Sequence, residues 1–127
     1  MYDFDQFLQL PDEQQHEQMR EWLSSIVEAE EKERQEKIRK LFSEISELDM
    51  PDKSKVIEKR ILALIELPVD RIKTFARSRY RAMQELSEID ESDRATVIGL
   101  MQQMPEHVQQ TIAQVLMELR DELDSRA

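Results

Sequence analysis

The chain has 127 residues, no cysteine and a formal net charge of -10 at pH 7. A chain of this length can bury a hydrophobic core as one domain, and the lack of cysteine excludes disulfides, zinc–thiolate sites and thiol nucleophiles. A single glycine and four prolines leave little turn chemistry for β-hairpins, while good helix formers are abundant. The composition therefore predicts an all-α protein.

The sequence contains no pattern typical of a targeting or membrane segment. The acidic N-terminus lacks the basic and apolar regions of a signal peptide. The longest apolar run, Ile61 to Ile65, is far shorter than the roughly 20 residues that span a bilayer. We therefore expect a cytoplasmic protein without membrane insertion.

Residues 1–27 are interpreted as a hydrophobic helical arm. They hold two of the four phenylalanines and the only tryptophan, but are too few to form a core alone. The residues predicted to mediate dimerisation are Phe4, Phe7, Leu8, Met19, Trp22, Leu23 and Ile26. We expect a homodimer in which the arms pair or each arm docks on the partner chain. The alternative is a bend near residues 30 to 36, which would let the arm complete the core of its own chain.

Residues 28–49 are predicted to form a long charged helix that joins the arm to the body. No large apolar residue occurs between Val27 and Ile38, but no glycine or proline interrupts the segment either. Glutamates precede lysines or arginines at i,i+4 spacing, which is the favourable order on a helix. The simplest structure is one helix from residue 12 to 48, about 55 Å long.

Residues 50–127 are predicted to form a body of two stacked helical hairpins, at residues 51–86 and 90–123. Proline follows leucine or methionine at positions 11, 51, 68 and 105, and each such pair indicates the end of one helix and the start of another. Apolar residues recur at helical spacing between these boundaries. A further boundary is expected near the segment SEIDESDR, residues 87–94, where Asp90 could cap a helix. The expected fold is an all-α bundle of about five or six helices.

The spacing of short helices punctuated by proline, across residues 50 to 123, resembles that in the N-terminal domains of two bacterial families. These are the magnesium-channel proteins and the flagellar motor switch protein. Only the spacing agrees, and no functional residue is carried over from either family.

Patterns that carry catalysis or bind metal are nearly absent. Glu13 and His16 have the i,i+3 spacing of di-iron bundles, but His107, the only other histidine, lacks the matching motif. No glycine-rich phosphate loop or calcium loop occurs. Gly99 is expected to permit a close approach between helices. We expect no enzymatic activity, no catalytic or metal-ligating residues and no cofactor.

Charge is distributed unevenly along the chain. Residues 1–50 contain 14 acids and 6 bases, residues 51–86 contain 5 and 9, and residues 87–127 contain 9 and 3. The residues predicted to bind a partner lie in this basic centre: Arg71, Lys73, Arg77, Arg79, Tyr80 and Arg81. In one interpretation they bind an acidic ligand. In the other, the cations pair with acids on neighbouring helices.

Arg79 stands out because it falls within the apolar face of its predicted helix. A guanidinium on a core face must be paired, since burying an unpaired charge is very unfavourable. Glu58 and Glu66 on the preceding helix are the expected partners. The alternative is an open patch of aromatic residues and arginine, of the kind found at interface hot spots.

The expected function is non-enzymatic protein–protein interaction, by a small adaptor, assembly factor or regulator that acts through helix faces. The partner protein is unknown. The alternative is a nucleic-acid-associated regulator that uses residues 71–81. Nucleic acid is the less favoured ligand, because the acidic flanks would repel a polyanion.

Overall fold

The computed structural model describes residues 2–126, except for the side chains of residues 123–126. Met1 and Ala127, at the ends of the predicted segments 1–27 and 50–127, lie outside the described residues. The described part forms seven α-helices and contains no strand. These are α1 (Phe4–Gln9), α2 (Asp12–Glu28), α3 (Glu31–Ser46), α4 (Met50–Leu64), α5 (Val69–Ala82), α6 (Ser87–Met101) and α7 (Glu106–Arg126), with a 3-10 helix (Met83–Glu85) after α5. The predicted all-α bundle is confirmed, with seven helices instead of five or six.

The helices stack in two layers. In one layer α4 packs between α2 and α6, and in the other α5 packs between α3 and α7. The hairpins α4–α5 and α6–α7 are therefore stacked on each other, as predicted. Within each hairpin the two helices, α4 with α5 and α6 with α7, make few direct contacts in the described part of the chain. No helix in that part has both the length and the apolar character to cross a membrane.

Each proline lies at a helix start. Pro11 and Pro68 immediately precede α2 and α5, Pro51 lies in the first turn of α4, and Pro105 immediately precedes α7. Proline fits these positions because the first-turn amides of a helix have no intrahelical acceptor. The boundary predicted near residues 87–94 is confirmed, because α6 begins at Ser87. The predicted cap is wrong, since Asp90 lies inside the helix.

The single long helix predicted from residue 12 to 48 is also wrong. It is interrupted at Ala29 and Glu30, whose extended backbones have ψ values of 159° and 157°. Arg34 donates a hydrogen bond of 2.7 Å to the carbonyl oxygen of Ala29, which stabilises the turn. The interruption lets α2 and α3 lie against each other, so that the apolar faces at both ends of the segment are buried.

The arm consequently packs within its own chain. Of the residues predicted to mediate dimerisation, Leu8 and Trp22 are half-buried, and the others are buried in the core: Phe4, Phe7, Met19, Leu23 and Ile26. Gln15 is also buried and donates hydrogen bonds to the carbonyl oxygens of Leu8 and Leu10, which hold α1 against α2. The chain thus uses the bend that was the alternative prediction. The homodimer stays a prediction, but the arm does not supply the exposed apolar surface on which that prediction was based.

Proline substitution distinguishes the bend from a continuous helix. Glu30 has φ -67° and the preceding Ala29 is extended, so Glu30→Pro matches the backbone that proline requires. We expect Glu30→Pro to leave the free energy of unfolding unchanged or to raise it by up to about 1 kcal/mol. Glu36→Pro, at an exposed position inside α3, should lower it by about 3 kcal/mol or more. Urea unfolding followed by circular dichroism measures both, and equal losses would contradict the bend.

Gly99 does not provide the predicted close approach between helices. A Cβ atom placed there would meet no other atom of the described chain within 4 Å. Because glycine in a helix is less favourable than alanine, we expect Gly99→Ala to raise the free energy of unfolding by about 0.5–1 kcal/mol. Thermal unfolding of the two proteins checks this expectation. A lower melting temperature for the variant would show that this position is crowded in solution.

Candidate functional site

Four of the predicted partner-binding cations, all on α5, form ion pairs with acids on neighbouring helices. The pairs are Arg71 with Glu28 at 3.5 Å, Lys73 with Glu118 at 3.0 Å, Arg77 with Glu122 at 3.0 Å, and Arg81 with Glu31. They join α5 to α2, α3 and α7. These ion pairs neutralise the cations with which an acidic ligand or a nucleic acid would interact.

Glu31 illustrates how these pairs act. Partial burial alone would raise the pKa of the Glu31 carboxyl, but hydrogen bonds from Ser78 and Arg81, with the charges of Arg81 and Arg34, lower it overall. Each exposed pair contributes at most about 1 kcal/mol, because solvent screens it. The ion pairs of α5 therefore help to orient the neighbouring helices but add little to the free energy of unfolding.

Arg79 belongs to a central charge cluster, which we define as Arg60, Arg79, Asp90 and Asp93. Arg60 donates two hydrogen bonds to Asp93, at 2.9 and 2.8 Å. Arg79 lies 2.9 Å from Asp90 and 3.2 Å from Asp93. Both guanidinium groups lie over the ring of Phe42, at 4.3 and 5.2 Å from its centroid. The cluster thus joins α4, α5 and α6 at the centre of the stack, and its contact with Phe42 adds α3.

The prediction that Arg79 is paired is confirmed, but the predicted partners Glu58 and Glu66 are wrong. Asp90 and Asp93 have i,i+3 spacing, so both carboxylates lie on one face of α6. This helix packs against α3 and α4, and Arg79 from α5 reaches both carboxylates. Burial alone would raise the pKa of Asp93, but the charges and hydrogen bonds of Arg60 and Arg79 outweigh it and lower the pKa. The carboxylate therefore remains ionised, with both oxygens engaged by arginine.

A groove lies beside this cluster, between α6 and α7. Its larger part has a volume of about 430 Å³ and is lined by ten apolar side chains and three arginines from α4, α5, α6 and α7. A smaller part, of about 290 Å³, adjoins it between α5, α6 and α7. The two parts share Ala76, Arg79, Arg94 and Leu116. We call the two together the terminal groove, because they lie at the end of the helix stack.

The position of the terminal groove follows from the stacking pattern. Helix α4 covers α2, α5 covers α3, α6 covers α4, and α7 covers α5. In the described part of the chain, no helix follows α7 to cover α6 and α7 in the same way. Ile72 and Phe75 are buried in its floor, whereas Ile98 and Leu116 on its rim are 63% and 58% exposed. Large apolar side chains grouped around a concave surface indicate a binding site more strongly than scattered ones.

The terminal groove is positively charged in a chain of net charge -10. Six arginines line it: Arg60, Arg77, Arg79, Arg81, Arg94 and Arg120. Four carboxylates accompany them: Glu31, Asp90, Asp93 and Glu122. Among the described side chains, six cations against four anions leave an excess of two positive charges. An anionic group would therefore be attracted to the groove.

The structure brings together only some of the predicted partner-binding residues. Arg77, Arg79, Tyr80 and Arg81 line the smaller part of the groove, whereas Arg71 and Lys73 line neither part. The predicted dimerisation residues lie elsewhere, in the core formed with the arm. Four residues on the rim of the groove were not predicted as binding residues: Arg94, Ile98, Leu116 and Arg120. Their apolar members belong to ordinary helical stripes, and nothing in the sequence marks them as uncovered.

Two other candidate sites offer neither large apolar side chains for a partner nor a set of metal ligands among the described residues. A depression between α2 and α3 is lined mostly by charged and hydroxyl side chains, so it offers no apolar anchor. His16 pairs with Glu66, and no group of three potential metal ligands occurs among the described residues.

Comparisons of the chain with protein-family models, with curated proteins and with solved structures find no match. The similarity in helix spacing to the two bacterial families therefore stays a resemblance, and the terminal groove is the feature that bears on function.

Proposed function

We propose that this protein is a non-enzymatic protein-interaction module, an adaptor or regulator, which binds a helix of a partner protein in the terminal groove. The observation that carries the proposal is the uncovered apolar channel between α6 and α7, with Ile98 and Leu116 exposed on its rim. Amphipathic helices bind other proteins by laying their apolar face into such channels. Homodimerisation and a cytoplasmic location stay predictions.

Shape and chemistry both support this function over catalysis. The volume of the larger part, about 430 Å³, can hold several apolar side chains and lies in the usual range for binding pockets. The ionisable residues that line it in the described part of the chain are Arg60, Arg79 and Arg94. Because arginine does not release its proton at physiological pH, these residues suit the binding of anions better than acid–base catalysis.

Two adjacent residues on α7 provide a matched test. Leu116 lines the terminal groove and is 58% exposed, whereas Met117 is 67% exposed and lines neither part of it. A display library of helical peptides is selected against the wild-type chain, and the enriched peptides are measured against Leu116→Asp and Met117→Asp. We expect Leu116→Asp to weaken binding at least about tenfold, because it places a charge in an apolar contact. Met117→Asp should leave binding unchanged.

The proposal also predicts the pattern of the selected peptides. Apolar residues should recur at i, i+3, i+4 and i+7, which places them on one helical face. The proposal fails if selection yields no peptide whose binding is weakened by Leu116→Asp while the variant remains folded by circular dichroism.

A further inference from the structure

We propose that the occupant of the terminal groove is an acidic amphipathic helix, in which carboxylates flank a strip of aliphatic side chains. This inference rests on the proposed function and specifies the chemistry of the partner. It follows from the order in which apolar and cationic side chains are arranged across the groove.

The walls of the larger part of the terminal groove are apolar, so the helix that binds there needs a strip of aliphatic side chains. Ile98 on α6 and Leu116 on α7 belong to its two facing walls, with Ile112 also on the α7 side. Phe75 and Ile72 from α5 are buried beneath them. A helix laid along this channel would cover the exposed isoleucine and leucine together, as α6 and α7 themselves cover α4 and α5.

Two arginines on the rim of the groove, Arg94 and Arg120, favour carboxylates on the bound helix. Arg94 on α6 is 59% exposed, and the pair it makes with a described residue joins its Nε to Asp90 at 3.3 Å. This pair leaves the two terminal amino groups of Arg94 free to donate hydrogen bonds to a ligand. Arg120 on α7 is exposed and forms no ion pair with any residue the structure describes. Both arginines line the smaller part, so a ligand carboxylate there could meet two guanidinium groups.

Net charge favours a local acidic segment over a second copy of this chain. Two copies of net charge -10 repel each other at long range. Close to the groove the excess of two positive charges dominates, because salt screens more distant charges beyond about 8 Å at physiological ionic strength. The electrostatic force on a short acidic helix bound in the groove therefore comes mainly from the nearby arginines, and it is attractive.

A pair of defined peptides tests the inference. One carries leucine at i, i+3, i+4 and i+7 with glutamate on both flanks, and the other has lysine at each glutamate position. Binding of the fluorescent peptides to the full chain is followed by anisotropy. We expect the glutamate peptide to bind at least about tenfold more tightly at physiological ionic strength, where the distant acids are screened. The difference should disappear near 1 M salt, where the Debye length is about 3 Å.

Charge-reversal variants locate the effect. In Arg94→Glu/Arg120→Glu the preference should invert, while Arg20→Glu/Lys32→Glu, which changes exposed cations on α2 and α3 by the same total charge, should retain it. Because a carboxylate at position 94 would face Asp90, the neutral pair Arg94→Gln/Arg120→Gln is measured alongside and should reduce the preference.

The outcomes separate this inference from the proposed function. If both peptides bind equally and both are weakened by Leu116→Asp, the groove is a binding site but its acidic selectivity is wrong. If neither peptide shows binding that depends on Leu116, the proposed function fails as well. If sedimentation shows self-association that Leu116→Asp abolishes, a second copy occupies the groove and the inference is overturned.

Discussion

Replacing Asp93 by asparagine is expected to lower the free energy of unfolding by about 3–5 kcal/mol. The substitution keeps the shape of the side chain but removes the charge that Arg60 and Arg79 share. Arg60 is only 4% exposed, so its guanidinium cannot recover the lost interaction from water. Urea unfolding at pH 7, followed by circular dichroism, measures the loss.

Glu28→Gln is the matched control, because it removes a carboxylate from an exposed pair. Arg71 lies 3.5 Å from Glu28, and both side chains are largely exposed. Such pairs contribute at most about 1 kcal/mol, so the control should lose far less stability than Asp93→Asn. Similar losses in both variants would show that the central charge cluster does not hold the four helices together.

The pH dependence gives a second measurement of the same interaction. The arginines lower the pKa of Asp93 in the folded chain below its unfolded value, which is about 3.9 for aspartate. A lowered pKa means that the stabilisation is present above the unfolded pKa and is lost as the pH falls through the folded pKa. The difference in stability between wild type and Asp93→Asn should therefore shrink progressively below about pH 4. A difference that stays constant to lower pH would contradict the ionic role of Asp93.

The helix boundaries at the prolines were predictable because proline acts locally. The missing amide hydrogen and fixed φ of Pro51, Pro68 and Pro105 favour the start of a helix whatever surrounds them. The apolar spacing between them was equally informative, since one face of each helix has to be buried. These two local features account for the hairpins α4–α5 and α6–α7.

The bend between α2 and α3 was not predictable in this way, because no proline or glycine marks it. The charged pairs of this segment contribute about 0.2–0.5 kcal/mol each. Burying a large apolar side chain contributes about 1.5–3 kcal/mol, and the bend allows Leu23, Ile26 and Ile38 to be fully buried. Tertiary burial thus outweighs local helix propensity, and it depends on contacts with α4 and α5 that sequence spacing does not reveal.

Arg79 and the terminal groove mark two further limits of the sequence. The apolar position of Arg79 favoured a paired guanidinium, but the choice of Asp93 depends on how α6 packs against α3 and α4. Leu116 lies in the same apolar stripe as the buried Val115, and only the lack of a covering helix in the described structure distinguishes the two. The groove therefore depends on which of the described helices cover one another, and no local pattern encodes this.

Phe7→Ala is expected to lower the free energy of unfolding by about 3–5 kcal/mol. Phe7 is 1% exposed, and its ring stacks on Trp22 with centroids 5.3 Å apart and makes an edge contact with Phe4 at 6.2 Å. Truncation therefore leaves a cavity between α1 and α2 that the short arm cannot refill. Trp22 reports the change directly through its fluorescence, and circular dichroism reports the whole fold. Leu8→Ala, on the same helix but half-buried, should lose less stability.

The dependence of unfolding on protein concentration decides whether the arm packs within its own chain. An arm that completes its own core gives a urea midpoint that does not change with concentration, for wild type and Phe7→Ala alike. Arms exchanged between two chains would stabilise the fold by mass action, so the midpoint would rise with concentration. A midpoint that rises for wild type, together with a smaller rise for Phe7→Ala, would restore the dimer of arms predicted from the sequence. We expect constant midpoints, because Phe7, Leu23 and Ile26 are already buried within a single chain.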